Sequence, residues 1–258
     1  MGRIRFGTSG FSYKEWRPAF YPADLRESGF LRFYATRFNS VEIDSTFYRM
    51  PNAKTIDGWK NATGEDFQFA LKASQQITHR ERLRVPSDAL SYLLGIVTRL
   101  QRRLGLLLFQ LPPFFRCDLG RLTAFLSVLP PGLRAAVEFR HDSWCREGTY
   151  DVLKEHGVAL CINDGDAETT PLETTASFTC IRLRRSRYDA ALRDEWQRRI
   201  HAWADGGLDV YAYLKHENNP DAPQIAREFA EPSGSASPRP LTDGSLPESS
   251  AAPAEGGE

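Results

Sequence analysis

Short apolar runs recur along the first 230 positions and alternate with longer stretches whose apolar residues fall at helical spacing. Eight runs have strand character: "RIRFG", "NSVEID", "FQFALKA", "GLLLFQL", "RAAVEFR", "GVALCIND", "FTCIRLR" and "DVYAYLK". Most are separated by helical patterns. "SGFLRFYATRF" follows the first run and "SDALSYLLGIVTRLQRRL" the third, with Ser87 placed as an N-cap. "LGRLTAFLSVL" follows the fourth, "DSWCREGTYDVLKEHG" the fifth, "YDAALRDEWQRRIHAWADGG" the seventh and "DAPQIAREFA" the eighth. Two gaps differ. "MPNAKTIDGWKNAT" predicts a helix only in its middle, and "GDAETTPLETTAS" after the sixth run predicts none. Eight strand–helix repeats predict an α/β fold, a single (β/α)8 TIM-barrel-like domain over residues 1–230 with a weak or missing helix after strand 6. A doubly wound open sheet is the competing arrangement. It leaves eight strands, and the missing Gly-rich nucleotide turn, without explanation.

In a barrel, strand residues alternate between the lumen and the helix layer. Val137 and Phe139 suit the helix layer, so Ala136, Glu138 and Arg140 face inward. The same count sends Phe67, Phe69 and Leu71 outward and Gln68, Ala70 and Lys72 inward. Val41 and Ile43 face out, which leaves Glu42 and Asp44 inside. Arg182, Arg184, Tyr211, Tyr213 and Lys215 follow inward, and Ser9 and Gln110 join them. Asn163 and Asp164 close the sixth strand, and the pattern does not separate them. The polar residues gather at the C-terminal ends of strands, where barrel enzymes assemble their sites. A lumen can also hold structural ion pairs, but apolar packing usually stabilises at least as well.

Composition narrows the classes. The chain has 258 residues and 41% hydrophobic content, enough for a large core. Residues 231–258 are rich in Pro, Ser, Gly and Ala, carry five acids and one Arg, and predict a disordered tail. The remaining 230 residues hold 32 Lys plus Arg against 28 Asp plus Glu, well short of a nucleic-acid-binding signature. Cys117, Cys145, Cys161 and Cys180 form no metal-binding spacing, and Cys161 and Cys180 read as core. There is neither a secretory pattern at the start nor an apolar run of membrane-spanning length, so the expected location is cytoplasmic, with no membrane partner.

The motifs "GTSGFSYKEW", "FYP", "RFNSVEIDSTFYRMP", "FALKAS", "ITH", "LLFQLPP" and "VEFRHDSW", in this order, resemble the YecE-like family, domain of unknown function family 72. The resemblance covers most of residues 1–230. It implies a TIM-barrel-like fold and no particular reaction. Where many members carry "RLHG"-like and "FNN"-like residues on strands seven and eight, this chain reads "RLRRSRY" and "YLKHENN". Arg184, Lys215 and His216 make its mouth more basic than the resemblance implies.

The candidate chemistry follows from the charges at the strand ends. Lys72, Arg140, Arg182, Arg184 and Lys215 predict a small anionic substrate, phosphorylated or carboxylated. The expected catalytic residues are Glu138, His141, Lys72 and Glu42, with Glu138 as base or acid and His141 or Lys72 as second proton carrier. Arg140, Arg182, Arg184, Gln110, Ser9, Tyr213, Lys215, Asn163 and Trp144 are expected to bind substrate. His79 and His216 also follow strand ends. One variant pairs Glu42 and Glu138 as a glycosidase. Another uses Lys72 for a Schiff base, against the plainer and preferred expectation that Lys72 pairs with Glu42 or Glu138. No cofactor is required. A metal-assisted hydrolase would draw on Glu42, Glu138, Asp164, His141 and His216, but no compact ligand motif supports it. The alternative outside enzymology is a binding module for nucleic acid or an anionic metabolite. Its basic run from Arg182 to Arg199 reads more simply as a barrel helix with Ala190, Ala191, Trp196, Ile200 and Trp203 on its buried face. The aromatics Phe11, Tyr13, Trp16, Phe20 and Tyr21 suit either a pocket wall or a cluster covering the barrel edge. Oligomeric state is left open.

Overall fold

The computed structural model describes residues 1–167, 169–215 and 220–230. Eight strands alternate with helices in chain order. They are β1 (Ile4–Ser9), β2 (Ser40–Ile43), β3 (Gln68–Lys72), β4 (Leu104–Gln110), β5 (Ala135–Glu138), β6 (Ala159–Asp164), β7 (Phe178–Leu183) and β8 (Asp209–Lys215). Each pairs in parallel with its sequence neighbours, and β8 pairs with β1. The sheet is a closed barrel, which excludes the doubly wound alternative. The helices are α1 (Phe30–Tyr34), α2 (Ala53–Ala62), α3 (Asp88–Val97), α4 (Leu119–Leu126), α5 (Glu147–Glu155), α6 (Ala190–Asp205) and α7 (Ala222–Ala230). Among the described residues none lies between β6 and β7, in line with the weak or missing helix the sequence pattern predicts. The tail from 231, and His216, lie outside the described residues.

Local chemistry sets the helix starts. Ser87 accepts a hydrogen bond from the Leu90 amide at 3.0 Å, while Asn52, Asp118 and Asp189 cap α2, α4 and α6 in the same way. The helix after β2 occupies Ala53–Ala62, the middle of its segment, with Asn52 as its N-cap directly after Pro51. Two expectations need correction. The first helix is a single turn of five residues flanked by tighter turns. The long pattern after β3 leaves α-geometry after Val97 and ends in a 3-10 segment that breaks at Gln101, where φ is +53°.

Two apolar layers follow the strand alternation. Val41, Phe69, Leu71, Val137, Ile181 and their neighbours pack under the helices. Ala70, Leu106, Leu108, Ala136, Cys161, Cys180, Tyr211 and Tyr213 fill the lumen. Trp196, Ile200 and Ala204 of α6 are buried against the barrel, whereas Ala190 and Ala191 in its first turn are exposed, contrary to expectation. Trp16, Phe20 and Tyr21 are buried with Phe30 and Tyr34, and Tyr21 stacks on Phe30 at 4.0 Å. These three therefore cover the barrel edge. Phe11 and Tyr13 are half-buried. No helix among the described residues is long and apolar enough to cross a membrane.

Candidate functional site

The lumen changes character at the C-terminal ends of the strands. Below lie alanines, leucines, cysteines and two tyrosines. The last inward residue of each strand is polar or charged because a side chain there leaves the packed interior for the mouth. At the centre is Arg182 of β7, fully buried. Its Nη2 donates to Glu42 Oε1 at 2.6 Å and to Asp44 Oδ1 at 3.1 Å. Its Nη1 donates to Glu138 Oε2 at 2.7 Å and Gln110 Oε1 at 3.2 Å. Ser9 donates to Glu42 Oε1 at 2.7 Å, and Arg140 pairs with the other oxygen of Glu138. Residues of β2, β4 and β5 thus converge on the one guanidinium of β7, and Ser9 of β1 joins them through Glu42. Tyr213 lies deeper, bonded to Ser40 Oγ at 2.7 Å.

The two carboxylates on Arg182 are treated oppositely. Both are fully buried, and burial pushes each towards the neutral form. At Glu138, Arg182, Arg184 and Arg140 outweigh burial and hold the carboxyl at about 2. At Glu42, burial prevails over Arg182, and Asp44 adds a like charge, so its pKa is raised. Burial also works against Arg182, but Glu42, Glu138 and Asp44 outweigh it and keep the guanidinium charged.

Three cations stand around this core. Lys72 Nζ lies 4.2 Å from the centre of the Phe47 ring and makes no ion pair among the described residues. Burial, then Arg182, lowers its pKa. The expected pairing with Glu42 or Glu138 does not form: Arg182 holds Glu42 Oε1 and, with Arg140, both oxygens of Glu138, while Glu42 Oε2 is buried without a hydrogen-bond partner among the described residues. Arg184 is lowered by burial and by Arg182, and its Nε is buried without a hydrogen-bond partner among the described residues. Lys215 is lowered by burial, Arg184 and Arg182.

Other expected residues lie elsewhere. Asn163 faces the lumen side of β6 beside Arg182 in register. Asp164 faces the helix layer, where it accepts from Trp196 Nε1 at 2.9 Å, Tyr188 at 3.0 Å and Arg185 at 2.8 Å. Of the candidate metal ligands, Glu42 and Glu138 are bound to arginine, Asp164 points away and His216 lies outside the described residues. Among the described residues no three His, Cys, Asp or Glu side chains are grouped so as to hold a metal ion. His141 Nδ1 accepts the Ser143 amide at 3.1 Å, capping the turn Asp142–Trp144. Arg182 fills the space between Glu42 and Glu138 that a glycosidic bond would need, which removes the paired-carboxylate geometry. Trp144 is buried, stacks on Phe139 at 4.6 Å and donates to the Phe115 carbonyl at 2.7 Å. It borders a separate cavity of about 230 Å³ with Arg140, His141 and Asn163. His79 packs on Phe47 at 4.9 Å, and burial and Lys72 lower its pKa.

Sequence reasoning missed Phe47 and left Tyr13 undecided between a pocket wall and an edge cluster. Phe47 is the surface beneath Lys72, and nothing distinguishes it from the other aromatics of "STFYRMP". The Tyr13 hydroxyl donates to the Ser9 carbonyl at 2.8 Å, and burial with Asp44 and Glu42 pushes it up to about 12.

The chain matches the family described as "Protein of unknown function DUF72" over residues 5–250. It is 24% identical to UPF0759 protein YunF of Bacillus subtilis, over 82% of this chain and 89% of that protein. It is 32% identical to UPF0759 protein YecE of Escherichia coli over a shorter stretch, 50% of this chain and 47% of that one. Among solved structures, a DUF72 family protein from Thermotoga maritima superposes with a TM-score of 0.72 at 25% identity, covering 88% of this chain and 98% of that one. A DUF72 family protein from Enterococcus faecalis gives 0.72 at 18% identity, over 88% and 94%. With its family profile, its relatives and its closed parallel barrel in agreement, this chain belongs to the DUF72, or UPF0759, family.

Proposed function

We propose that this protein is an enzyme that acts on a small anionic substrate by acid–base chemistry at the C-terminal mouth of its barrel. The observation that carries the reading is Lys72. It sits half-buried at the edge of the charged cluster, over an aromatic face, with no ion pair among the described residues. A lysine kept from a counter-ion and crowded by cations loses its proton more readily, which fits it for proton transfer. Glu42, whose charged form burial disfavours, is the second titrating group. Glu138 serves as the fixed anion that keeps Arg182 in place, since a carboxyl held near 2 is a weak base. Arg140, Arg184 and Lys215 draw the anion in, Gln110 and Ser9 hold Arg182 and Glu42, and Tyr213 closes the lumen beneath them through Ser40.

The test is a turnover screen of phosphorylated and carboxylated metabolites with the parent protein and Lys72→Met side by side. The expected result is conversion of at least one compound by the parent and loss of that conversion in the folded variant. Equal turnover in Lys72→Met would remove Lys72 from the chemistry. Compounds that stabilise the parent without being converted would instead favour a non-catalytic binding module.

A further inference from the structure

The ends of β2 and β3 build a small aromatic platform under one amine. The two strands pair as far as Ile43 and Leu71, so Lys72 ends its strand beside Asp44. Thr46 ties the two ends together, its hydroxyl lying 2.7 Å from the carbonyl oxygens of both Ile43 and Lys72. The next residue, Phe47, lies under Lys72 Nζ, with 4.2 Å from the nitrogen to the ring centre. Asp44 is held by Arg182 at 3.1 Å and not by the lysine. Burial and Arg182 favour the neutral amine, against the weaker pull of Asp44, Glu42 and Glu138. His79, on the same Phe47 ring, is lowered by burial and then by Lys72. A desolvated amine beside a fixed cation is the setting in which a lysine becomes a nucleophile. The residue type matters here. Only six of the 33 basic residues in the chain are lysines. A guanidinium in this place would supply charge but could neither lose its proton nor form an imine.

We propose that Lys72 forms a Schiff base with a carbonyl carbon of the substrate, which places that substrate among small oxo acids and other anionic carbonyl compounds. The inference rests on the anionic-substrate reading and names its reacting group. The neutral amine adds its lone pair to the carbonyl carbon, forming a C–N bond as the C=O π pair moves to oxygen. A proton passes from nitrogen to that oxygen and gives the carbinolamine. The nitrogen lone pair then expels the hydroxyl, which leaves as water with a proton from Glu42. Amine, carbonyl and one proton thus become a protonated imine and water. Glu42 fits the donor's role. Burial raises its pKa, and its Oε2 is buried without a hydrogen-bond partner among the described residues. The iminium cation withdraws electrons from the neighbouring carbon and eases removal of a proton there.

The test is reductive trapping on the full chain at neutral pH. Sodium cyanoborohydride is added with glyoxylate or glycolaldehyde as the probe, and peptide mass spectrometry locates the modified lysines. Glyoxylate should modify Lys72 faster than the exposed Lys14, Lys54 and Lys154 by about ten-fold or more, since a docked carbonyl is held at high effective concentration. Those three surface lysines are internal controls, so the reading does not depend on a variant that folds. In Lys72→Arg, which keeps the charge, the fast adduct should be lost while the surface lysines react as before. Modification of Lys72 no faster than that of the surface lysines overturns the inference. If Lys72 stays unmodified in a protein whose turnover Lys72→Met abolishes, the imine falls and proton transfer by the same residue stands. If glycolaldehyde modifies Lys72 as fast as glyoxylate, each measured against the surface lysines, the Schiff base stands and the anionic part of the reading falls.

Discussion

Glu42 and Glu138, from strands three apart in the barrel, are held by the two ends of one buried guanidinium. Arg182 Nη2 lies 2.6 Å from Glu42 and Nη1 lies 2.7 Å from Glu138. One cation between two buried anions leaves a deficit of positive charge, which Arg140 reduces at Glu138 alone. That asymmetry separates the two pKa values.

Arg182→Met should therefore be strongly destabilising, by about 3–5 kcal/mol, because both carboxylates lose their shared partner. Protonation relieves the stranded charges, so the defect should be larger at pH 8 than at pH 5. Urea unfolding at the two pH values measures it. A loss below about 1 kcal/mol at pH 8 would show that the cluster does not depend on this residue.

Glu138 sets an acid limit to stability. Its folded pKa, about 2, lies below the ordinary 4.5, so its contribution is present above the ordinary value and is lost as pH falls towards 2. The contribution is on the order of 3 kcal/mol. Unfolding midpoints followed from pH 7 to 2.5 should fall across this window. Glu138→Gln should be less stable than the parent at pH 7 and show a shallower acid decline.

Glu42 has the opposite sign. Its folded pKa is raised, so its contribution is full below the ordinary carboxylate value and is lost as pH rises through the elevated one. Glu42→Gln, which imitates the protonated form, should remove that decline and change stability at acid pH by less than about 1.5 kcal/mol. An unchanged slope of stability against pH in the variant would refute the raised pKa.

Lys72→Met tests an unpaired cation. The methionine side chain keeps contact with Phe47 and removes a charge that burial disfavours, so stability should stay within about 1 kcal/mol or increase. Thermal unfolding at neutral pH measures it. A loss of about 3 kcal/mol or more would mean that Lys72 belongs to a structural ion pair.

Trp144 is buried away from the charged cluster, and the structure gives it a packing role. Trp144→Ala should cost about 3–5 kcal/mol. Trp144→Phe keeps much of the stack on Phe139 but leaves the Phe115 carbonyl without its donor, at about 1–3 kcal/mol. Anion affinity should be unchanged in Trp144→Phe. A marked fall would place the side chain in the ligand site.

The sequence by itself determined the barrel, the weak or missing helix between β6 and β7, and which face looks inward in the strands other than β6. These follow from period-two alternation, a local property that survives any uncertainty about neighbours. It therefore placed Glu42, Lys72, Glu138, Arg182 and Arg184 in the lumen without knowing what they touch. Only the tertiary structure decided the pairings. Glu42 and Arg182 are 140 residues apart, and no local pattern tells whether Glu138 will meet Lys72 or Arg182. The same holds for Asn163 and Asp164, consecutive polar residues on opposite faces of β6, where Asp164 finds Trp196 and Tyr188 in the helix layer. Burial and neighbouring charge then compete at each carboxylate. The winner depends on distances that only the closed barrel fixes.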